Sequence, residues 1–263
     1  MLNVRTHGVP PFSVAVIHGG PGARGEMAVV AEKLSARRGV LEPLQTATSL
    51  SGQIDELRTV LDDHSDEPVI LIGHSWGAWL CFILAARHPE LVRKLILVAA
   101  GPFEEEYVAG LTETRLSRLR KEERAEMQEL QQRLVNPAER DKVSLFRRFG
   151  QLMSKADSFN ALTDQNSTVE FDPGTYEMVW REAKEMRRSG ALLKMGESVK
   201  CPVVAIHGDY DPHPVEGVRK SLSGVLKDFR FELLMNCGHT PWLERHAKGR
   251  FYEILESELR RSD

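Results

Sequence analysis

Short apolar runs alternate along the chain with stretches whose apolar residues recur every three or four positions. Phe12–Ile17 (FSVAVI), Pro68–Ile72, Leu95–Ala99 (LILVA), Cys201–Ile206 and Phe229–Leu234 read as strands. Continuous apolar runs of this length suit strands covered on both faces by helices. Between and after them, Met27–Arg38, Leu50–Asp62, Trp76–Arg87 and Arg250–Arg260 carry helical spacing. Ile54, Leu57, Val60 and Leu61 share one side of the second, and Phe251, Ile254, Leu255 and Leu259 form the stripe of the last. Strands and helices in alternation predict βαβ units and a mainly parallel sheet with helices on both faces, an α/β fold.

The pattern changes at about Phe103. From there to Glu197 the chain is highly charged and helical, as in TETRLSRLRKEERAEMQELQQRL, and offers no strand candidate of quality. Two helix starts are marked by a cap oxygen followed by proline: Asn136-Pro137, with Glu139 three residues after the asparagine, and Asp172-Pro173. The expected organisation is a core of residues 1–102 and 198–263, with 103–197 inserted as an α-helical cap between two halves of one sheet.

Composition narrows the partners more than the fold. A net charge of −3 over 263 residues gives no basic excess to attract nucleic acid or an anionic membrane. The longest apolar run, WLCFILAA, is well short of the roughly 18 residues needed to cross a bilayer. The N-terminus (MLNVRTHGVPPFSVAV) lacks the basic region, apolar core and cleavage site of a secretory signal. Cys81, Cys201 and Cys237 are odd in number and widely spaced, which suits small buried hydrophobes in a reducing compartment. These features predict a soluble, cytoplasmic protein, monomer or homodimer, acting on a small-molecule substrate.

The candidate chemistry starts at Gly73-His74-Ser75-Trp76-Gly77, where a strand run ends and a helix begins. A serine at the tip of so tight a turn needs a strained backbone and very small neighbours, and G-x-S-x-G supplies both. A serine nucleophile needs a base, and the base needs an acid to orient it. His239, in Cys237-Gly238-His239, follows one late strand. Asp209 and Asp211, in His207-Gly208-Asp209-Tyr210-Asp211-Pro212, follow another, so Ser75, an aspartate and His239 leave the same edge of a parallel sheet. Glu104, Glu105 and Glu106 after the LILVA strand are a third source of an acid. No HExxH, GxGxxG or GxxxxGK[ST] occurs, and no His, Cys or carboxylate spacing is that of a metal site, so neither metal nor cofactor is expected.

HGGPG, GHSWG, GDxDP and GH, in this order and across nearly the whole chain, resemble the α/β-hydrolase superfamily, most of all its proline iminopeptidase-like branch. The resemblance implies that the acid is Asp211, with Asp209 a turn residue. It also implies that the backbone N–H groups of Gly20 and Trp76 form the oxyanion hole and that the charged block is the cap. A serine rather than an aspartate at position 75 argues against the dehalogenase and epoxide-hydrolase chemistries of the superfamily. Two departures stand out. Only 17 residues precede His18, so the sheet is expected to lack one or both of the usual antiparallel strands. Val40–Thr46 holds no glycine where members carry a glycine-rich loop, so the pocket near Gln45 is expected to be unusual.

Ester or amide cleavage through an acyl-enzyme on Ser75 is the reading these features favour. An N-terminal proline-type aminopeptidase would need cap carboxylates for the free amino group, for which Glu182, Glu185 and Glu197 are available, although solvated helix faces carry such residues too. A pocket for a small ester, or for a carbon–carbon bond hydrolase, would use apolar side chains such as Trp76, Phe149, Met153, Met178 and Trp180, which equally suit plain core. A ligand-binding protein without turnover is the alternative from outside enzymology.

Overall fold

In a computed structural model of the chain, which describes residues 3–136, 138–162 and 169–261, the apolar runs become the centre of one sheet. The strands are β1 (Val4–His7), β2 (Phe12–Ile17), β3 (Ala23–Arg24), β4 (Gly39–Pro43), β5 (Val69–His74), β6 (Val92–Val98), β7 (Glu170–Phe171), β8 (Val203–Gly208) and β9 (Phe229–Leu234). Seven of them form the sheet, in the order β1-β4-β2-β5-β6-β8-β9. Every pair is parallel except β1, which runs antiparallel to β4 at one edge.

Successive residues of a strand point to opposite faces, so each central strand feeds two cores. Val14, Val16, Ile70, Ile72, Ile96 and Ile206 pack beneath α1 (Ala28–Ser35) and the C-terminal helix Lys248–Arg260. Ala15, Ile17, Leu71, Leu95, Leu97 and Ala205 pack on the other face beneath α2 (Leu50–His64) and α3 (Trp76–Arg87). All six residues of β5 are buried, as a strand covered on both sides requires.

One antiparallel strand, β1, is present at the β4 edge, within the expectation that one or both would be missing, whereas β4 itself departs from the sequence reading. β4 gives no strand signal in the sequence because Gly39-Val40-Leu41-Glu42-Pro43 carries a charge and a proline. The charge is tolerated because β1 lays His7 against the buried Glu42 carboxylate at 2.9 Å, with Arg5 at 3.9 Å.

Between β6 and β8 the chain forms α4 (Leu111–Ser117), α5 (Lys121–Leu134), α6 (Lys142–Asp157), α7 (Pro173–Arg188) and α8 (Ala191–Lys194). Asp172 caps α7 as expected, accepting from the N–H groups of Gly174 and Thr175. Asn136 does not start a helix. Its side chain accepts from Ala138 N–H in a local turn, and Asp141 caps α6 five residues later; Pro137 lies outside the described residues. The block is also not free of strand, since β7 pairs with β3 and ties the helical segment to the Gly19–Gly22 turn. α5 and α6 share a core of their own (Met127, Leu130, Leu134, Leu145, Leu152), whereas Val179 and Ala183 of α7 join the main core beside Trp79. No helix among the described residues is long and apolar enough to cross a membrane. The remaining two helices are α9 (Glu216–Ser223) and α10, the C-terminal Lys248–Arg260.

Candidate active site

Ser75 occupies the single residue between β5 and α3, at φ 53° and ψ −112°, a region that L-residues other than glycine rarely adopt. Its N–H donates to the Val98 carbonyl at 2.9 Å, which fixes the turn to β6. The glycines around it are required by close approach. A Cβ on Gly77 would run into the carbonyl oxygens of Ile17 and His18, one on Gly73 into that of Gly77, and one on Gly19 would lie 3.2 Å from Ser75 Cβ. Strain of about 1–3 kcal/mol is typical for such a backbone and persists only where the surroundings enforce it.

β2 delivers His18-Gly19-Gly20-Pro21-Gly22 beside this turn, with Gly20 at φ 107° and Gly22 at φ 86°. Gly19 N–H donates to Glu26 Oε2 at 2.8 Å, and the same oxygen lies 2.9 Å from His74 Nδ1. His74 Nε2 donates to the His239 carbonyl at 2.9 Å, so one imidazole links the first turn to the His239 loop. Burial would raise the Glu26 carboxyl, but His74 and the Gly19 N–H hold it down at about 2. Among the described residues no acceptor takes the backbone N–H of Gly20 or of Trp76, the latter at the first position of α3.

Asp211 leaves the carboxyl end of β8 and His239 that of β9, the edge at which β5 releases Ser75. His239 Nδ1 lies 2.8 Å from Asp211 Oδ2. A carboxylate only accepts, so Nδ1 carries the proton and Nε2 presents a lone pair. The ring centroid of His239 is 4.9 Å from that of His74, the residue before Ser75. Burial pushes His239 down, but the Asp211 carboxylate outweighs it and the net displacement is upward. Burial would raise Asp211, yet His239, His213 and His207 hold it well below the usual carboxylate range.

The competing acids are engaged elsewhere. Asp209 accepts from Cys237 N–H at 3.0 Å, a turn role that joins the two loops. Glu104 accepts from Ser221 Oγ and Glu105 pairs with Arg187. Of the pocket candidates, Gln45 is 2% exposed, with neither amide atom partnered among the described residues. The Trp76 indole donates to Gln53 Oε1 at 3.0 Å, and Trp180 stacks on Trp79. Phe149 and Met153 pack into the α5–α6 core, and Met178 is 44% exposed, so the candidates are not gathered in one place. A surface cleft of about 470 Å³ along α7 includes Trp180 and Tyr176 but none of Ser75, Asp211 and His239.

Several residues of this neighbourhood carried no sequence signal. His213 Nδ1 lies 2.8 Å from the second oxygen of Asp211. Asp157, at the end of α6, gives its carbonyl to His239 N–H at 2.8 Å and its carboxylate to Arg115 in a bidentate pair. Glu244, 1% exposed, accepts from the backbone N–H groups of Phe159, Asn160 and Gly238 at 2.7, 2.8 and 2.9 Å. His213 and Glu26 could have been noticed only as polar residues near motifs. Linear spacing also hides one grouping able to hold a metal, Asp211, His213 and His239, whose donor atoms lie within 4.8 Å of one another. Both Nδ1 atoms there are turned to the carboxylate, the arrangement of a hydrogen-bonded trio.

Comparison with known proteins agrees with this architecture. A family model described as alpha/beta hydrolase fold matches residues 45–245. Epoxide hydrolase 4 of Mus musculus is 31% identical over 101 residues, 37% of this chain, and the match spans only 27% of that protein's own length. Among solved structures, VinJ superposes with a TM-score of 0.73 at 18% identity, covering 99% of this chain and 95% of its own. Proline iminopeptidase from Mycobacterium smegmatis gives 0.61 at 16% identity over 98% and 94%. At these identities the structural likeness is one of fold.

Proposed function

The chain belongs to the α/β-hydrolase fold family, and on that premise we propose that it is a serine hydrolase cleaving an ester or amide bond of a small molecule through an acyl-enzyme on Ser75. The observation that carries this reading is the 2.8 Å contact of Asp211 with His239 Nδ1, at the sheet edge where Ser75 stands in a strained turn.

In the proposed sequence, His239 Nε2 takes the Ser75 proton as Oγ attacks the carbonyl carbon. The negative charge that develops on the carbonyl oxygen is met by the N–H groups of Gly20 and Trp76. Losing one such donor costs about 100- to 1000-fold in turnover. His239 then passes its proton to the leaving group, and a water activated by the same nitrogen releases the acyl group. Asp211 holds His239 in the tautomer this needs. Residues 103–197 act as a cap whose α6 end positions the His239 loop.

An ester or a simple amide is favoured over an aminopeptidase substrate. Glu182, a candidate for the free amino group, already accepts from Leu50 N–H at 2.9 Å at the start of α2, and Glu185 pairs with Arg188 on the surface. Epoxide opening, the chemistry in the mouse relative's name, is disfavoured by a serine at the elbow.

The test is a screen of p-nitrophenyl esters beside aminoacyl p-nitroanilides, with a fluorophosphonate probe in parallel. Wild type should turn over an ester and label stoichiometrically, and Ser75→Ala should lose at least about 10⁴-fold in kcat and all labelling. Full activity in Ser75→Ala would sink the proposal; absence of labelling at high reagent would favour a ligand-binding protein.

A further inference from the structure

Asp211 serves two imidazoles. His239 Nδ1 donates to Oδ2, and His213 donates to Oδ1 twice, through its ring Nδ1 at 2.8 Å and its backbone N–H at 2.9 Å. The two rings stand side by side with centroids 4.8 Å apart. His213 is pinned from behind as well, because the fully buried His207 donates Nε2–H to its carbonyl at 2.9 Å. An acceptor-only carboxylate forces the same tautomer on both rings. Two equal claims on one anion would leave the proton's destination ambiguous, and the environments separate them. Burial carries His213 down to about 4, so it stays neutral, while His239 is displaced upward. Among the described residues, the other titratable or charged groups facing this cluster are His74, His207, Arg115, Asp157 and Glu26.

We propose that His213 is a positioning residue for the hydrolysis assigned above: its donation to Oδ1 turns Oδ2 toward His239 and takes up part of the carboxylate's charge. The inference rests on the hydrolase reading only for its kinetic consequence; the geometry it concerns is independent of any substrate. Removing a neutral donor from Oδ1 concentrates charge on Oδ2, which tightens the hold on protonated His239 and raises its pKa. It also leaves Oδ1 held from residue 213 by the backbone N–H alone, which loosens the carboxylate's orientation.

Imidazole NMR titration of His239 tests this without a substrate, in wild type, His213→Phe, His213→Leu and His213→Asn. The Phe and Leu variants should titrate at higher pH than wild type. Asn, whose amide can donate to the same oxygen, should return the midpoint toward wild type. Where a substrate is turned over, the Phe and Leu variants should lose about tenfold in kcat, in keeping with the loss of one hydrogen bond to a charged group, with KM little changed and the acid limb of kcat/KM moved to higher pH. The same NMR shift in the Asn variant, or no shift in a Phe or Leu variant that melts like wild type, overturns the proposal. A shift as described in a protein with no Ser75-dependent turnover refutes the hydrolase reading and leaves the role of His213 in place. If neither the Phe nor the Leu variant folds, His213 is a stability residue and the proposal is wrong.

Discussion

Ser75 and His239 leave the same edge of the sheet but are held by different forces. The Ser75 turn is built from the sheet and the first turn of α3: β2, β5 and β6 surround it, and its shape follows from backbone atoms packed too closely for any Cβ at Gly73 or Gly77. The His239 loop is laced to the helical block instead. Asp157 accepts its N–H, Glu244 gathers Phe159, Asn160 and Gly238, and Leu162 N–H donates to the Leu243 carbonyl. The serine turn is fixed chiefly by sterics, which pH and salt do not reach, with the Glu26–His74 pair as its polar link. The His239 loop is fixed by charge-assisted hydrogen bonds, which they do reach. The helical block can therefore shift the His239 loop while leaving the serine turn undisturbed.

The comparison can be broken from the polar side first. Asp211→Asn should lower kcat by about 10³- to 10⁴-fold by removing the anion that orients His239. It should also change the pH profile. In the proposed mechanism His239 acts as a neutral base, and Asp211 holds its pKa above the ordinary 6.5, so kcat/KM should fall as pH drops through that raised value. With the carboxylate gone, burial, which lowers His239, becomes the leading influence beside the weaker fields of Asp157 and Arg115, and the acid limb should move to lower pH. A limb that stays put would mean that Asp211 does not govern the base.

On the steric side, Gly77→Ala should cost about 1–3 kcal/mol by overpacking against the Ile17 and His18 carbonyls, read as a lower urea midpoint at every pH. Glu244→Gln should cost about 1–3 kcal/mol by weakening three buried charge-assisted bonds, and unlike Gly77→Ala it should lower kcat while fluorophosphonate labelling reagents still reach Ser75. The smallest effect is expected at Gly150, within α6, where a Cβ would meet nothing within 4 Å; Gly150→Ala should stabilise by about 0.5–1 kcal/mol with unchanged activity. A large loss there would show that the block's helix, and not only its end at Asp157, is tuned to the site.

Residues marked by local punctuation were legible. The strand-turn-helix at Ser75 and the loops carrying Asp211 and His239 announce themselves by glycine, proline and apolar runs within a few positions. β4 was hidden because Glu42 looks like a loop residue until β1 brings His7 to it. Glu26, Glu244 and Asp157 were hidden because their partners are remote: Glu26 meets a residue 48 positions away, Glu244 one 85 away and Asp157 one 42 away. Phe149 and Met153 illustrate the opposite case, since an apolar side chain in an amphipathic helix has the same pattern whether it lines a pocket or fills the core of its own block.

By itself the sequence determined the alternation of strand and helix, the edge from which Ser75, Asp211 and His239 emerge, and the helical character of 103–197, because hydrophobic period and turn chemistry are local properties. Only the tertiary structure decided which polar groups meet. The second histidine on Asp211, the glutamate beneath the first turn and the clasp between α6 and the His239 loop are all contacts between distant segments. Their energies depend on burial and on hydrogen-bond geometry that exist only once the sheet has brought the loops together.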